Sequence, residues 1–259
     1  MPAADVIITN ARVLTVDPAR PRAEAVAIAG DTIVAVGDRA EILSTKGPAT
    51  RVIDAAGGSV VPGFVEAHLH VFPGGAELDH CQLAAVADAE TFRRTVAAYA
   101  ASRPDEPLLI GQGASYTMLS EAATITRHDL DAAVPHRPFL MFAGDHHTAW
   151  ANTVALERAG ILHGAAVGVG NEVVMAADGL ASGELREREA FAPVLALSAS
   201  GGRERSGLSG EEPDATPAER EHDKAILRRA LAHLARHGIT SFHNMDGNLY
   251  LVGLLAEME

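Results

Sequence analysis

The stretch that most constrains this chain is Val60-Val61-Pro62-Gly63-Phe64-Val65-Glu66-Ala67-His68-Leu69-His70. An apolar run enters through a Pro-Gly turn and ends in two histidines one residue apart. Side chains at positions i and i+2 of a strand share a face. His68 and His70 are therefore expected to project together from the C-terminal end of a buried strand, with Leu69 packed behind them. Neutral imidazole suits zinc, nickel or iron, so the pair reads as half of a metal site with positions left open for chemistry.

The flanking sequence divides at this strand. Residues 1–60 read as a small all-β module. Its strands are Asp5–Asp17, Ala25–Ala29, Thr32–Gly37 and Arg51–Asp54, with Gly30-Asp31 closing a hairpin. The module is too small for a closed core, and further strands are expected to complete it. Residues 61–259 alternate strands with helices. Helical spacing runs over Glu90–Ala101, Arg127–Ala133, Thr148–Ala159 and Ala218–His237. Pro107–Gly111 and Pro138–Phe142 are short apolar runs of the buried-strand type, and Ile239–Asp246 is a fourth strand and loop. An irregular insertion is expected around 161–217, with Ser198–Pro217 as a linker or mobile loop.

Alternation of this kind, with polar residues after the strands, suggests an α/β fold: a (β/α)₈ barrel of TIM type whose chemistry sits at the strand C-termini. About four of the eight units are visible. At the barrel mouth so defined, Asp145 and His147, after the third strand, and His243, after the fourth, are candidates to touch substrate. His146 ranks below His147, and Trp150 and Asn152 are expected to pack and cap.

Composition narrows the partners. With 21 Lys+Arg against 34 Asp+Glu the formal charge is −13, which disfavours a nucleic-acid or anionic-membrane surface. No apolar run approaches the roughly 20 residues that span a bilayer, and no signal peptide is visible. The single cysteine, Cys81, forms no internal disulfide, which fits a cytoplasmic location.

The histidine stretch resembles the signature of the metal-dependent amidohydrolase superfamily, commonly Pro-Gly-hydrophobic-hydrophobic-Asp-x-His-x-His. Four further segments are similar to its YtcJ-like branch, which includes N-substituted formamide deformylases: Ile8–Val13, Arg127–Asp131, Asp145–Asn152 and Gly238–His243. Glu66 stands where the superfamily usually has Asp, so a carboxylate is kept. The resemblance implies a β-sandwich built from both chain ends, around a metal-bearing barrel. It implies one or two divalent ions, zinc foremost, with His68 and His70 as first ligands. It also implies hydrolysis of a small-molecule amide or related C–N bond by metal-activated water. Ser182-Gly183-Glu184-Leu185-Arg186-Glu187 matches a family segment in which Glu187 ligates metal or orients substrate. Family members are about twice this length and draw further histidines and a catalytic Asp, the general base, from later strands. The chain is therefore expected to represent an N-terminal half. A homodimer is the assembly considered for the full-length form. The rival readings are a partner-requiring half-barrel or fragment without activity, and a metal-free binding protein.

Overall fold

The computed structural model describes residues 3–259. The chain divides into two compact units, one of Met1–Glu66 with Gly238–Phe242, the other of Ala67–His237 with His243–Glu259.

The first unit is built from short strands. A four-stranded sheet has the order β5-β4-β1-β6, from β1 (Ala4–Thr9), β4 (Ala25–Ala29), β5 (Thr32–Gly37) and β6 (Lys46–Asp54). A three-stranded sheet joins β2 (Arg12–Leu14), β3 (Arg22–Ala23) and β7 (Ser59–Val60). The expected hairpin is present: Ala29 faces Thr32 across Gly30, whose φ of 60° a β-carbon would disfavour. The long first strand expected over 5–17 is instead two strands, because Asn10 turns the chain at φ 53°. Ala4, Ile7, Ala25, Ala27 and Ile42 fill one small core, and Ala11, Val13 and Val26 another.

The strand that carries the histidine pair, β8 (Phe64–Leu69), has hydrogen-bonded partner β15 (Ile239–Asn244). It is not buried as expected. Phe64 is 56% and Val65 74% exposed, since a two-stranded ribbon covers neither of its faces.

The second unit is organised by a six-stranded sheet of order β13-β14-β12-β11-β10-β9. Its strands are β9 (Cys81–Gln82), β10 (Leu109–Ala114), β11 (Phe139–Ala143), β12 (Thr148–Ala151), β13 (Glu172–Met175) and β14 (Ala181–Arg186). The first three run parallel, and β12 and β14 then pair antiparallel. Alternation along β11 and β12 sends side chains to two cores. Leu140, Phe142, Ala149 and Ala151 meet Leu185 and Phe191 on one face; Phe139, Met141 and Trp150 meet Leu109, Phe92 and Leu130 on the other.

The parallel run β9–β11 ends in an antiparallel hairpin through which β11 returns to β12, and the sheet corrects two expectations. The helix expected over 148–159 begins only at Thr153; Thr148–Ala151 is a strand buried between two neighbours. The segment 161–217 is not an irregular excursion. Besides β13, which the sequence Val173-Val174-Met175 already reads as a strand, it supplies β14 and the helix Arg188–Leu195, and Ser198–Pro217 is anchored by buried Arg203, Glu204 and Arg205. Other helices lie close to expectation. Asp88 caps Ala89–Ser102, a Thr126/Asp129 capping box opens Arg127–Asp131, and a Thr216/Glu219 box opens Pro217–Arg236. No helix among the described residues is long and apolar enough to cross a membrane.

Asn152 fixes where β12 ends and the next helix starts. Fully buried, its Oδ1 accepts the N–H groups of Phe139 and Ala155, each at 3.0 Å, while its Nδ2 donates to the carbonyls of Val134 and Arg137, each at 2.8 Å. Asn152→Ala leaves these backbone groups without partners and is expected to cost roughly 3 kcal/mol. Urea unfolding measures this, and a loss within error of zero would contradict the role assigned to Asn152.

Candidate active-site cleft

The strand β8 delivers His68 and His70 with ring centroids 5.5 Å apart and planes at 75°. Period-two geometry therefore does bring the two imidazoles together. His70 caps the helix Val71–Glu77, and its Nδ1 lies 3.2 Å from Asp246 Oδ1. The carboxylate only accepts, so Nδ1–H donates and Nε2 is left as the free lone pair. Asp246 is held from behind. Asn244 Nδ2 donates to the Asp246 carbonyl, Asn244 Oδ1 accepts Val71 N–H at 2.8 Å, and Met245 N–H donates to the Leu69 carbonyl at 2.8 Å. The Asp246 side chain is only 2% exposed, and its Oδ2 has no hydrogen-bond partner among the described residues.

The turn after β11 supplies the next groups. Asp145 accepts the His147 N–H at 3.1 Å and the Tyr116 hydroxyl at 3.1 Å. That backbone hydrogen bond, more than any other influence, holds the Asp145 carboxyl below the usual carboxylate range. His147 Nδ1 lies 3.0 Å from Glu187 Oε1, and the Glu187 N–H donates to the His147 carbonyl at 2.8 Å. His146 accepts at Nδ1 from Arg205 Nη2, 3.0 Å away. The Arg205 guanidinium carbon sits over the Phe142 ring, 4.4 Å from its centroid, and a guanidinium nitrogen lies 3.6 Å from Glu77 Oε1.

A cleft of about 660 Å³ is lined by His70, Glu77, Asp145, His146, His147, Glu187 and Arg205. Two of these, His146 (φ 64°) and Glu187 (φ 62°, ψ 171°), hold backbone conformations that residues with a β-carbon rarely adopt. Strain of this kind, of order 1–3 kcal/mol per residue, collects where a side chain must be aimed. Both aim a titratable group into the same cleft.

Of the residues singled out from sequence, His70, Asp145, His147 and Glu187 line this cleft. His68 stands beside His70 but outside the lining, as does His243, which is exposed. Glu187 is engaged by His147. Glu77 and Arg205 were not assigned roles from sequence, and Asp246, expected from sequence only as a residue that lines the mouth, instead holds His70. Arg205 lay in a stretch that composition marks as linker, and Asp246 is 176 residues from its partner His70. Cys81 is buried, which pushes its thiol up to about 11 and removes it as a ligand or nucleophile.

Among the described residues, no group of three or more His, Cys, Asp and Glu is gathered closely enough to hold a metal ion. The donors present are nevertheless of the right kind. Two imidazoles stand side by side, and a buried carboxylate fixes the tautomer of one, as metal-binding histidines commonly require.

Residues 51–259 match the profile of the amidohydrolase family. The chain belongs to that family. Among curated amidohydrolase relatives, the N-substituted formamide deformylase of Arthrobacter pascens is 30% identical over 159 residues, 61% of this chain and 29% of that protein. The putative amidohydrolase YtcJ of Bacillus subtilis is 29% identical over 168 residues, 64% of this chain and 32% of the relative. The fold is similar to crystal structures of uncharacterized metal-dependent hydrolases. That of Pyrococcus horikoshii matches with a TM-score of 0.62 at 18% identity, over 98% of this chain and 45% of the other. That of Pyrococcus furiosus matches with a TM-score of 0.62 at 20% identity, over 98% and 47%. This amidohydrolase chain thus spans less than half the length of the solved structures it resembles.

Glu187→Gly removes the steric penalty at φ 62° and is expected to raise stability by about 1 kcal/mol, while freeing His147 from its partner; a lower melting temperature would refute the strain. His80, half-buried near Arg205, has its pKa lowered from 6.5 to about 4, first by desolvation and then by the Arg205 charge. The folded state therefore resists protonation. Its contribution is complete above pH 6.5 and fades as pH falls towards 4, by on the order of 3 kcal/mol. Wild type is expected to lose more stability than His80→Leu over that interval in urea titrations; parallel profiles would contradict the assignment.

Proposed function

We propose that this chain carries the first metal ligands and part of the substrate cleft of a metal-dependent amidohydrolase acting on an amide or related C–N bond of a small molecule. The observation that carries the reading is His70, fixed by buried Asp246 so that Nε2 is free, beside His68. Family membership and likeness of fold to metal-dependent hydrolases support it. His68 and His70 would hold the ion, with zinc the metal best suited to imidazole at an open hydrolytic site.

Such an ion supplies a water of lowered pKa and polarises the scissile carbonyl. The chain's own residues contribute positioning. Asp246 keeps His70 in one tautomer. Glu187 orients His147 so that its Nε2 faces the cleft, able to accept a hydrogen bond from an amide N–H. Arg205 fixes Nδ1 of neutral His146 as acceptor, so that its Nε2–H is a donor for a carbonyl oxygen. Glu187 as a direct ligand is the weaker alternative, since its carboxylate already accepts from His147 at 3.0 Å.

A second reading rests on the count of donors. With two imidazoles and no third ligand gathered among the described residues, the chain by itself would bind metal weakly and need further ligands for turnover. Zinc titration of the purified chain separates the two. The proposal expects stoichiometric binding that Asp246→Asn weakens 10- to 100-fold. Binding indifferent to Asp246→Asn, or none in the micromolar range, would sink it in favour of the second reading.

A further inference from the structure

His233 and His237 lie at the end of the 20-residue helix Pro217–Arg236, with His237 as its C-terminal cap. Residues four apart on a helix stand one above the other. The two rings accordingly meet at a centroid separation of 4.4 Å, with planes at 40°. His237 Nδ1 lies 2.8 Å from the His233 carbonyl oxygen. A carbonyl only accepts, so Nδ1–H donates and Nε2 of His237 keeps its lone pair. Neither that Nε2 nor either ring nitrogen of His233 has a hydrogen-bond partner among the described residues. His237 is exposed and His233 half-buried, so solvent reaches the pair. Neither residue lines the cleft that holds His70.

Metal-binding histidines are commonly held in this way, with one ring nitrogen donating to a backbone carbonyl and the other left for the ion. The setting favours a cation. The C-terminal end of a helix carries partial negative charge, and the chain has a formal charge of −13. Arg236 precedes His237 and opposes that attraction, but it is exposed, where water and salt screen it. The ligand count selects the ion. Zinc sites draw three or four protein ligands in a tetrahedron, and among the described residues no group of three or more His, Cys, Asp and Glu is gathered closely enough to hold a metal. Copper(II) prefers a square plane, in which two imidazoles can fill adjacent corners and water the rest. It also heads the affinity order of the first-row divalent ions.

We propose that His233 and His237 form an accessory copper(II) site, a two-imidazole chelate at the helix terminus. Once one imidazole has bound, the second binds intramolecularly, so the pair outcompetes a histidine standing alone. The site stands independently of the metal reading above, since neither His68 nor His70 takes part.

The test uses the 259-residue chain with His68 and His70 both replaced by alanine, so that copper cannot report on that pair. Calorimetric titration with copper(II) is expected to show one stoichiometric site of micromolar affinity, with zinc bound at least tenfold more weakly. Electron spin-echo modulation of the copper-loaded sample is expected to carry the signature of two imidazoles. His233→Ala and His237→Gln are each expected to weaken copper binding about tenfold or more, because each removes the chelate. His237→Gln changes an exposed side chain and decides the matter should His233→Ala fail to fold. Copper affinity unchanged in His237→Gln, or no micromolar binding at all, would overturn the proposal. Modulation from a single imidazole, or zinc held as tightly as copper, would overturn it as well.

Discussion

The hydrogen bond from His70 to the buried carboxylate of Asp246 is the constraint on which the site depends. A histidine at a strand end can rotate and exchange tautomers, and either freedom spoils it as a ligand. Asp246 removes both. It is itself fixed by Asn244, and Asn244 also accepts the first N–H of the helix that His70 begins. The same few residues therefore close a helix N-terminus, orient an imidazole and bury a carboxylate. Uncompensated burial of that charge would be expensive, which ties the geometry of His70 to the integrity of the strand ends.

The cleft is assembled by a different device. The turn after β11 and the start of the helix after β14 both adopt positive-φ backbone at non-glycine residues, His146 and Glu187. Neither conformation is favourable on its own. They persist because β11, β12 and β14 are hydrogen-bonded neighbours in a sheet with apolar cores on both faces, so the framework dictates where the turn must go. Arg205 adds the third element. Its guanidinium sits over Phe142 and is bonded to His146, which places a cation beside two histidines, His146 and His80.

How much of this could be read from the sequence depended on the range of the interaction. The hairpin Ala25–Gly37 and the helix beginning near Ala89 rest on local periodicity and turn chemistry, and both were legible. So was the pairing of His68 with His70, which needs only the two-residue period of a strand. Thr148–Ala151 was misread as helix because its alanines favour one and Asn152 is a helix cap; its strand state is imposed by β11 and β14 on either side. The antiparallel course of β12 and β14 was hidden for the same reason, since nothing local announces it. Arg205 and Glu77 were hidden because a charged residue in a polar stretch looks solvated until its neighbours across the fold are known. The strain at His146 and Glu187 has no sequence signal at all.

Joint ligation of a divalent ion by His68 and His70, as proposed above, is read most directly by X-ray absorption spectroscopy on the zinc-loaded chain. Such ligation gives a nitrogen shell at about 2.0–2.1 Å with the multiple-scattering pattern of two imidazoles, lost when His68 and His70 are both replaced by alanine. A spectrum without imidazole scattering, or one that survives that double replacement, would contradict it.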